Sequence, residues 1–254
     1  MINTYITIAL SFVMGLSIFI SMPIIFRKNT SMQRMLLYNA FATGILVFLM
    51  LDIYGDVASI FGSSSITSPA EILFIVAFAA AFLFFIIPKG TRDPEENPKR
   101  TSILAALGIG FQNLTEGLLF GSAGAAGLIP IYVVSIIGFS LQNMTEGVPI
   151  AMPLVGARKM LERRFVTGVF ILGGAPVVIG TLIGLVFFSS MFIIFFDALA
   201  SAAILYVVLV LFHVNINRAR SRRKREIDHS IWLTYAGILV GFVIAYIVNY
   251  LVVA

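Results

Sequence analysis

Eight stretches of about twenty apolar residues dominate this chain, and a segment of that length and oiliness reads as a helix that crosses a lipid bilayer. They run over 4–26, 35–54, 69–87, 101–120, 128–154, 165–188, 191–212 and 231–251. Only 11% of the 254 residues are charged and 59% are hydrophobic. A soluble domain carries roughly 25% charged residues. An oily soluble core would also need polar residues at helical spacing along one face of each segment, and these are absent. The expectation is an all-α integral membrane protein, a single transmembrane domain over 1–254 with eight spans.

The loops give an independent test, because Lys and Arg gather on the cytoplasmic side of membrane proteins. Arg27, Lys28 and Arg34 follow the first segment, and Lys89, Arg92, Lys99 and Arg100 follow the third. Arg158, Lys159, Arg163 and Arg164 follow the fifth. Arg218, Arg220, Arg222, Arg223, Lys224 and Arg225 follow the seventh. These are all 17 basic residues of the chain. One missed or invented span would break the alternation, so eight spans with both termini outside are expected. The first segment lacks a basic leader and is followed by basic residues, so it reads as a retained span rather than a cleaved signal.

The same distribution removes other classes. The net charge of +5 follows from topology, and the tract 218–225 suits anionic lipid headgroups rather than nucleic acid. There is no Cys, hence no disulfide framework and no thiolate metal site. The longest loops, 88–100 and 213–230, are too short to fold alone.

Charges at bilayer depth cost about 2.5–3.5 kcal/mol each on insertion scales, so they mark function by default. Two lie deep, Glu116 in the fourth segment and Glu146 in the fifth, in the same hexapeptide context. The fourth carries Gln112-Asn113-Leu114-Thr115-Glu116-Gly117 and the fifth Gln142-Asn143-Met144-Thr145-Glu146-Gly147, 30 residues apart. Gly110-Phe111 and Gly138-Phe139 precede the two copies. Consecutive spans run antiparallel, so a repeat near both midpoints brings equivalent groups to one depth. Positions i and i+4 share a helix face, which stacks Gln112 on Glu116 and Gln142 on Glu146, with Asn113 and Asn143 beside them. Two carboxylates and up to four amide oxygens make a cage for a divalent cation. The plainer reading is polar glue between helices, a common use of Asn, Gln and Thr in membranes. It does not call for two ionisable groups at the midplane. Gly117 and Gly147 read as small residues that let helices approach.

Further acids cluster toward the outer face. Asp52 and Asp56 close the second segment, Glu71 opens the third, and Asp197 lies in the first turns of the seventh. A negative vestibule concentrates cations. Asp52, Asp56 and Asp197 are its candidate residues, and Glu71 reads as a solvated helix end. His213, at the inner end of the seventh segment, is a candidate for the exit path. His229 reads as an interfacial residue.

These residues resemble a family, the ZIP metal transporters, in their GufA-like branch. That branch carries HNxPEG on the fourth helix and HNxPEG or QNxPEG on the fifth, followed by a segment like LAVALPL. Here QNLTEG stands at 112–117 and QNMTEG at 142–147, followed by Val148-Pro149-Ile150-Ala151-Met152-Pro153-Leu154. The F-A-x-G start of the second helix recurs as Phe41-Ala42-Thr43-Gly44, and its H-L-x-P-E end falls on Asp52-Ile53-Tyr54-Gly55-Asp56. A small-residue run leads into Tyr206-Val207-Val208 in the seventh. The resemblance spans nearly the whole chain. It implies eight helices with both termini outside, a transport site lined by Gln112, Glu116, Gln142 and Glu146, and Asn113 and Asn143 at its second face. The chain departs from the pattern where Gln112 replaces His and where Thr115 and Thr145 replace the motif prolines. Ala175 stands for an acid before Pro176, and the acids after Tyr-Val-Val fall near Val210 and Leu211. The loop 88–100 lacks His.

The expected function is therefore transport of zinc, iron or manganese into the cytoplasm, with no prosthetic group and no bond-making chemistry. The expected place is the cell membrane. The metal ions and the bilayer are the expected partners, with a homodimer left open and nucleic acid excluded. Two other classes remain. One is a degenerate relative acting as a metal sensor or partner subunit. The other is an intramembrane enzyme using Glu116 and Glu146 as acid and base, against which stands the absence of any HExxH or GxSxG pattern.

Overall fold

In a computed structural model the described residues are 2–26, 31–61, 68–86, 97–155, 161–220 and 224–253. Every element among them is a helix: α1 (Thr4–Ser17, continuing as 3-10 turns Ile18–Phe26), α2 (Met32–Phe61), α3 (Pro69–Ile86), α4 (Pro98–Ala126), α5 (Ile129–Ala151, closed by 3-10 turn Met152–Leu154), α6 (Arg163–Gly174), α7 (Pro176–Gly184), α8 (Ser190–Arg220) and α9 (Lys224–Val253). Among the described residues seven helical stretches are long and apolar enough to cross a membrane: Thr4–Phe26, Gln33–Phe61, Pro69–Ile86, Pro98–Ala126, Arg163–Gly184, Ser190–Arg220 and Asp228–Tyr250. This is the pattern of an α-helical multi-pass membrane protein. α5 is not among the seven, although its 23 residues would span about 34 Å. Gln142, Asn143 and Glu146 lie within it and lower its hydropathy.

Several helices outrun the predicted apolar segments. α2 continues to Phe61, α4 starts at Pro98 and ends at Ala126, and α8 continues to Arg220. The expected loop 213–230 is thus corrected: α8 and α9 fill it except for 221–223, which lie outside the described residues. Helical hydrogen bonding does not stop where hydrophobicity does, and Asn215, Asn217 and Arg218 extend the same ladder. The predicted sixth segment is interrupted at Ala175, because Pro176 has no N–H to give the carbonyl of Leu172.

Paired contacts give the helix directions. Ser102 meets Ile150, Asn113 meets Asn143 and Phe120 stacks on Tyr132, so α4 and α5 are antiparallel about Gly127, which takes a left-handed φ of 73°. Gly110 faces Leu172, Gly117 faces Val177 and Gly121 faces Thr181, so α4 runs parallel to α6–α7. Gly108 faces Ile204 and Thr115 faces Asp197, so α8 runs against α4. α1 runs with α5 through Thr7–Tyr132 and Ser21–Met144. α2 runs with α9, Gly44 lying on Phe242 and Asp52 on Asn249.

Small residues make the closest approaches. A side chain at Gly117 would collide with the carbonyl of Val177, one at Gly184 with that of Leu118, and one at Gly241 with that of Phe41. α4 sits at the centre of this packing, with 72% of its most apolar stretch buried against 22% for α3 and for α9. The outer helices present Ile75, Leu83, Trp232, Leu239 and Tyr246 to the surroundings, as a bilayer requires. The starts of α2 and α4 and the end of α8 meet around one polar cavity lined by Asn39, Thr101 and Arg218. Lys99 lies 5.2 Å over the ring of Phe165 at the start of α6. Arg34, Lys99, Arg100, Arg163, Arg164, Arg218 and Arg220 therefore share one end of the bundle. Arg27, Lys28, Lys89, Arg92, Arg158, Lys159, Arg222 and Arg223 lie outside the described residues, and the side chains of Lys224 and Arg225 are not described.

Candidate functional site

Successive helical residues turn by about 100°. Around α4 this sends Asn113 toward α5 and α6, and Thr115 toward α8. Glu116 and Gln112 fall in the arc between. The glycines on the opposite side seat α4 on α6–α7, which fixes that orientation.

The six motif residues are buried, with Glu116 at 6% and Glu146 at 0% exposure. They divide by role. Asn113 Nδ2 donates to Asn143 Oδ1 at 2.7 Å and to the carbonyl of Gly173 at 2.9 Å. A carbonyl only accepts, so Gly173 orients the Asn113 amide, and Asn113 in turn orients Asn143. The Asn pair is thus a clamp holding α4, α5 and α6 at one level. Gln112 Nε2 donates to Glu116 Oε1 at 3.3 Å, the i to i+4 contact that helical spacing allows. Thr115 and Thr145 return their hydroxyls to the carbonyls of Gln112 and Gln142 at 2.7 and 2.8 Å.

What remains is rich in acceptors. Gln112 Oε1, Asn113 Oδ1, Glu116 Oε2 and both carboxylate oxygens of Glu146 are buried without a hydrogen-bond partner. Gln142 and Asn113 border Glu146. The amides of Gln142 and Asn143 leave Nε2 and Nδ2 unpaired. Asn143, whose oxygen is taken by Asn113, therefore presents a donor. Among the described residues no three His, Asp or Glu side chains are grouped closely enough to hold one ion together. The cation-binding capacity thus rests on two carboxylates helped by amide oxygens.

The outer acids take different places. Asp56 is exposed, and Asp52 is half-buried, accepting from Asn249 of α9. Asp197 is 3% exposed and lies against Thr115, beside the motif. The charges of Glu146, Asp52, Asp56 and Asp197 all act on Glu116. Glu71 caps α3 together with Ser68. His213 is exposed, paired with Asn217 at 2.9 Å, and about 24 Å along α8 from Asp197. Sequence reasoning missed Gly173, Asn249 and the contact of Thr115 with Asp197. Only the first left a signal, Pro176 inside an apolar span.

No protein-family model matches the chain, and no curated protein is significantly similar to it.

Proposed function

We propose that this protein is a divalent metal cation transporter with a ZIP-like architecture. It crosses the cell membrane eight times, with both termini outside, and carries zinc, iron or manganese into the cytoplasm past the paired motif of α4 and α5. The observation that carries this reading is the set of buried, unpaired oxygens on Gln112, Asn113, Glu116 and Glu146. Buried acceptors without donors are costly. A divalent cation meets that need, and two carboxylates match its charge.

Two further observations support the orientation. The alternating helix directions agree with α5 as an eighth crossing, and the described basic residues share one end, the cytoplasmic end by the positive-inside rule. Asp52 and Asp56 lie toward the other end and form the outer vestibule. A second reading, a metal sensor or partner subunit of the same architecture, is favoured by the lack of any three-residue His, Asp or Glu group among the described residues. Radiometal flux into proteoliposomes of the purified protein separates the two. Saturable uptake, lost when Glu116 and Glu146 are both neutralised, is the expected result. Binding without flux would favour the sensor, and neither binding nor flux would remove both readings.

A further inference from the structure

The two copies of the hexapeptide are alike in sequence and unlike in surroundings. Each threonine bonds back to its own glutamine carbonyl. Thr115 shares its one hydroxyl proton with an acid as well, Asp197 Oδ1 lying 2.9 Å away across 82 positions of chain. Among the described residues no acid is hydrogen-bonded to Thr145.

A lone carboxylate at this burial is expensive, costing several kcal/mol in desolvation, and one neutral hydroxyl does not offset it. A helix clamp alone would be served by Asn or Ser. The charge of Asp197 acts on Glu116, and those of Asp52 and Asp56 act on Asp197. Asp52 acts on Glu146 as well. Glu116 Oε2 and Gln112 Oε1, both buried and unpaired, occupy the arc of α4 next to Thr115. Among the described residues Glu116, Glu146 and Asp197 do not form one three-residue group, so no single ion is held by all three at once.

We infer that Asp197 is a further cargo-binding residue, a carboxylate that α8 sets beside the α4 motif and Thr115 holds in place, so that a divalent cation reaches Glu116 through it before Glu146. The inference rests on the transport reading above. It makes the two repeats unequal, the α4 copy receiving the ion and the α5 copy completing its shell. It also makes α8 part of the route.

The test uses the full-length protein with Mn²⁺ as probe, read as equilibrium binding in detergent and as flux in proteoliposomes. Asp197→Asn keeps an acceptor for Thr115 and removes the charge. It should raise the Mn²⁺ concentration for half-maximal flux about tenfold, in the range seen when groups supporting a metal site are lost, with less change in maximal rate. Thr115→Val should shift half-saturation in the same direction by a smaller factor, and Thr145→Val should leave it near wild type. Wild-type half-saturation in Asp197→Asn, with binding intact, would make Asp197 a structural acceptor and overturn the inference while leaving transport standing. If Asp197→Asn does not fold, equal shifts in Thr115→Val and Thr145→Val would overturn it instead. A wild-type protein that binds no Mn²⁺, Zn²⁺ or Fe²⁺ would remove the transport reading itself.

Discussion

Asn113 donates its side-chain amide to Asn143 at 2.7 Å, and each residue stands fifteen positions from Leu128 in the turn between α4 and α5. The thirty-residue repeat is therefore a hairpin folded about its own midpoint, which is why its equivalent groups reach one depth. Asn113→Ala removes the bonds to both Asn143 and Gly173 and leaves two acceptors unpaired. It should cost about 1–3 kcal/mol, the usual penalty for orphaned buried groups. Thermal unfolding of the purified protein would read this as a lowered midpoint. An unchanged midpoint would mean that the pair is not a clamp.

Neutralising the carboxylates separates charge from folding. Glu116→Gln and Glu146→Gln should each weaken divalent binding at least about tenfold, equivalent to 1.4 kcal/mol. Both should still insert, because removing a charge from an apolar span eases insertion. Full flux through the double variant would sink the cation site.

Selectivity follows from ligand chemistry. The motif offers carboxylate and amide oxygens, which suit Mn²⁺ and other harder ions, whereas imidazole favours Zn²⁺. Gln112→His should tighten Zn²⁺ binding and leave Mn²⁺ nearly unchanged, as calorimetry would record. One tightly held ion per chain is expected, since two divalent ions on Glu116 and Glu146 alone would leave two uncompensated charges in a low-dielectric interior. Unchanged Zn²⁺ affinity, or two ions bound equally tightly, would contradict the ligand argument.

Much of this arrangement can be read from the chain itself, and the reasons for the gaps are physical. Apolar length locates the helices because the bilayer sets it. It misplaces their ends because Asn215 or Arg220 can extend a hydrogen-bond ladder as well as Leu does. The repeat draws out Gln112, Glu116, Gln142 and Glu146, since polar and ionisable groups are costly within apolar spans. It does not reveal that Asn113 is turned by the carbonyl of Gly173 or that Asp197 touches Thr115. Those contacts join residues 60 and 82 positions apart and depend on how whole helices pack.

Glycine positions predict opposite effects from one substitution. Gly117→Ala would drive a methyl group into the Val177 carbonyl, whereas Gly55→Ala would meet open space. The first should destabilise the protein by about 1–3 kcal/mol, as overpacking does. The second should be neutral or slightly stabilising through helix propensity. Parallel melting curves in detergent decide the matter, and a Gly117→Ala protein as stable as wild type would contradict the packing of α4 on α7.

Topology can be mapped with single cysteines, for which the chain provides a background free of native thiols. Ala126 and Ser190 are exposed, whereas Gly124 is buried against Thr7 and Tyr132. Ala126→Cys and Ser190→Cys should react with an impermeant reagent added to intact cells, and Arg220→Cys should react only after permeabilisation. External labelling at Arg220→Cys would reverse the proposed orientation.

The central place of α4 has a consequence for how such a sequence can drift over evolutionary time. One side of α4 admits only glycine, another carries the clamp, a third faces α8, and the arc between holds Gln112 and Glu116. Nearly every substitution there is answerable to a neighbour. The outward faces of α3 and α9 answer mainly to their apolar surroundings, which ask for oiliness and not for identity. Relatives of this chain should therefore keep α4 nearly letter for letter and diverge almost freely along the outward faces of α3 and α9. A search built on the 110–121 stretch should find kin that whole-chain similarity passes over.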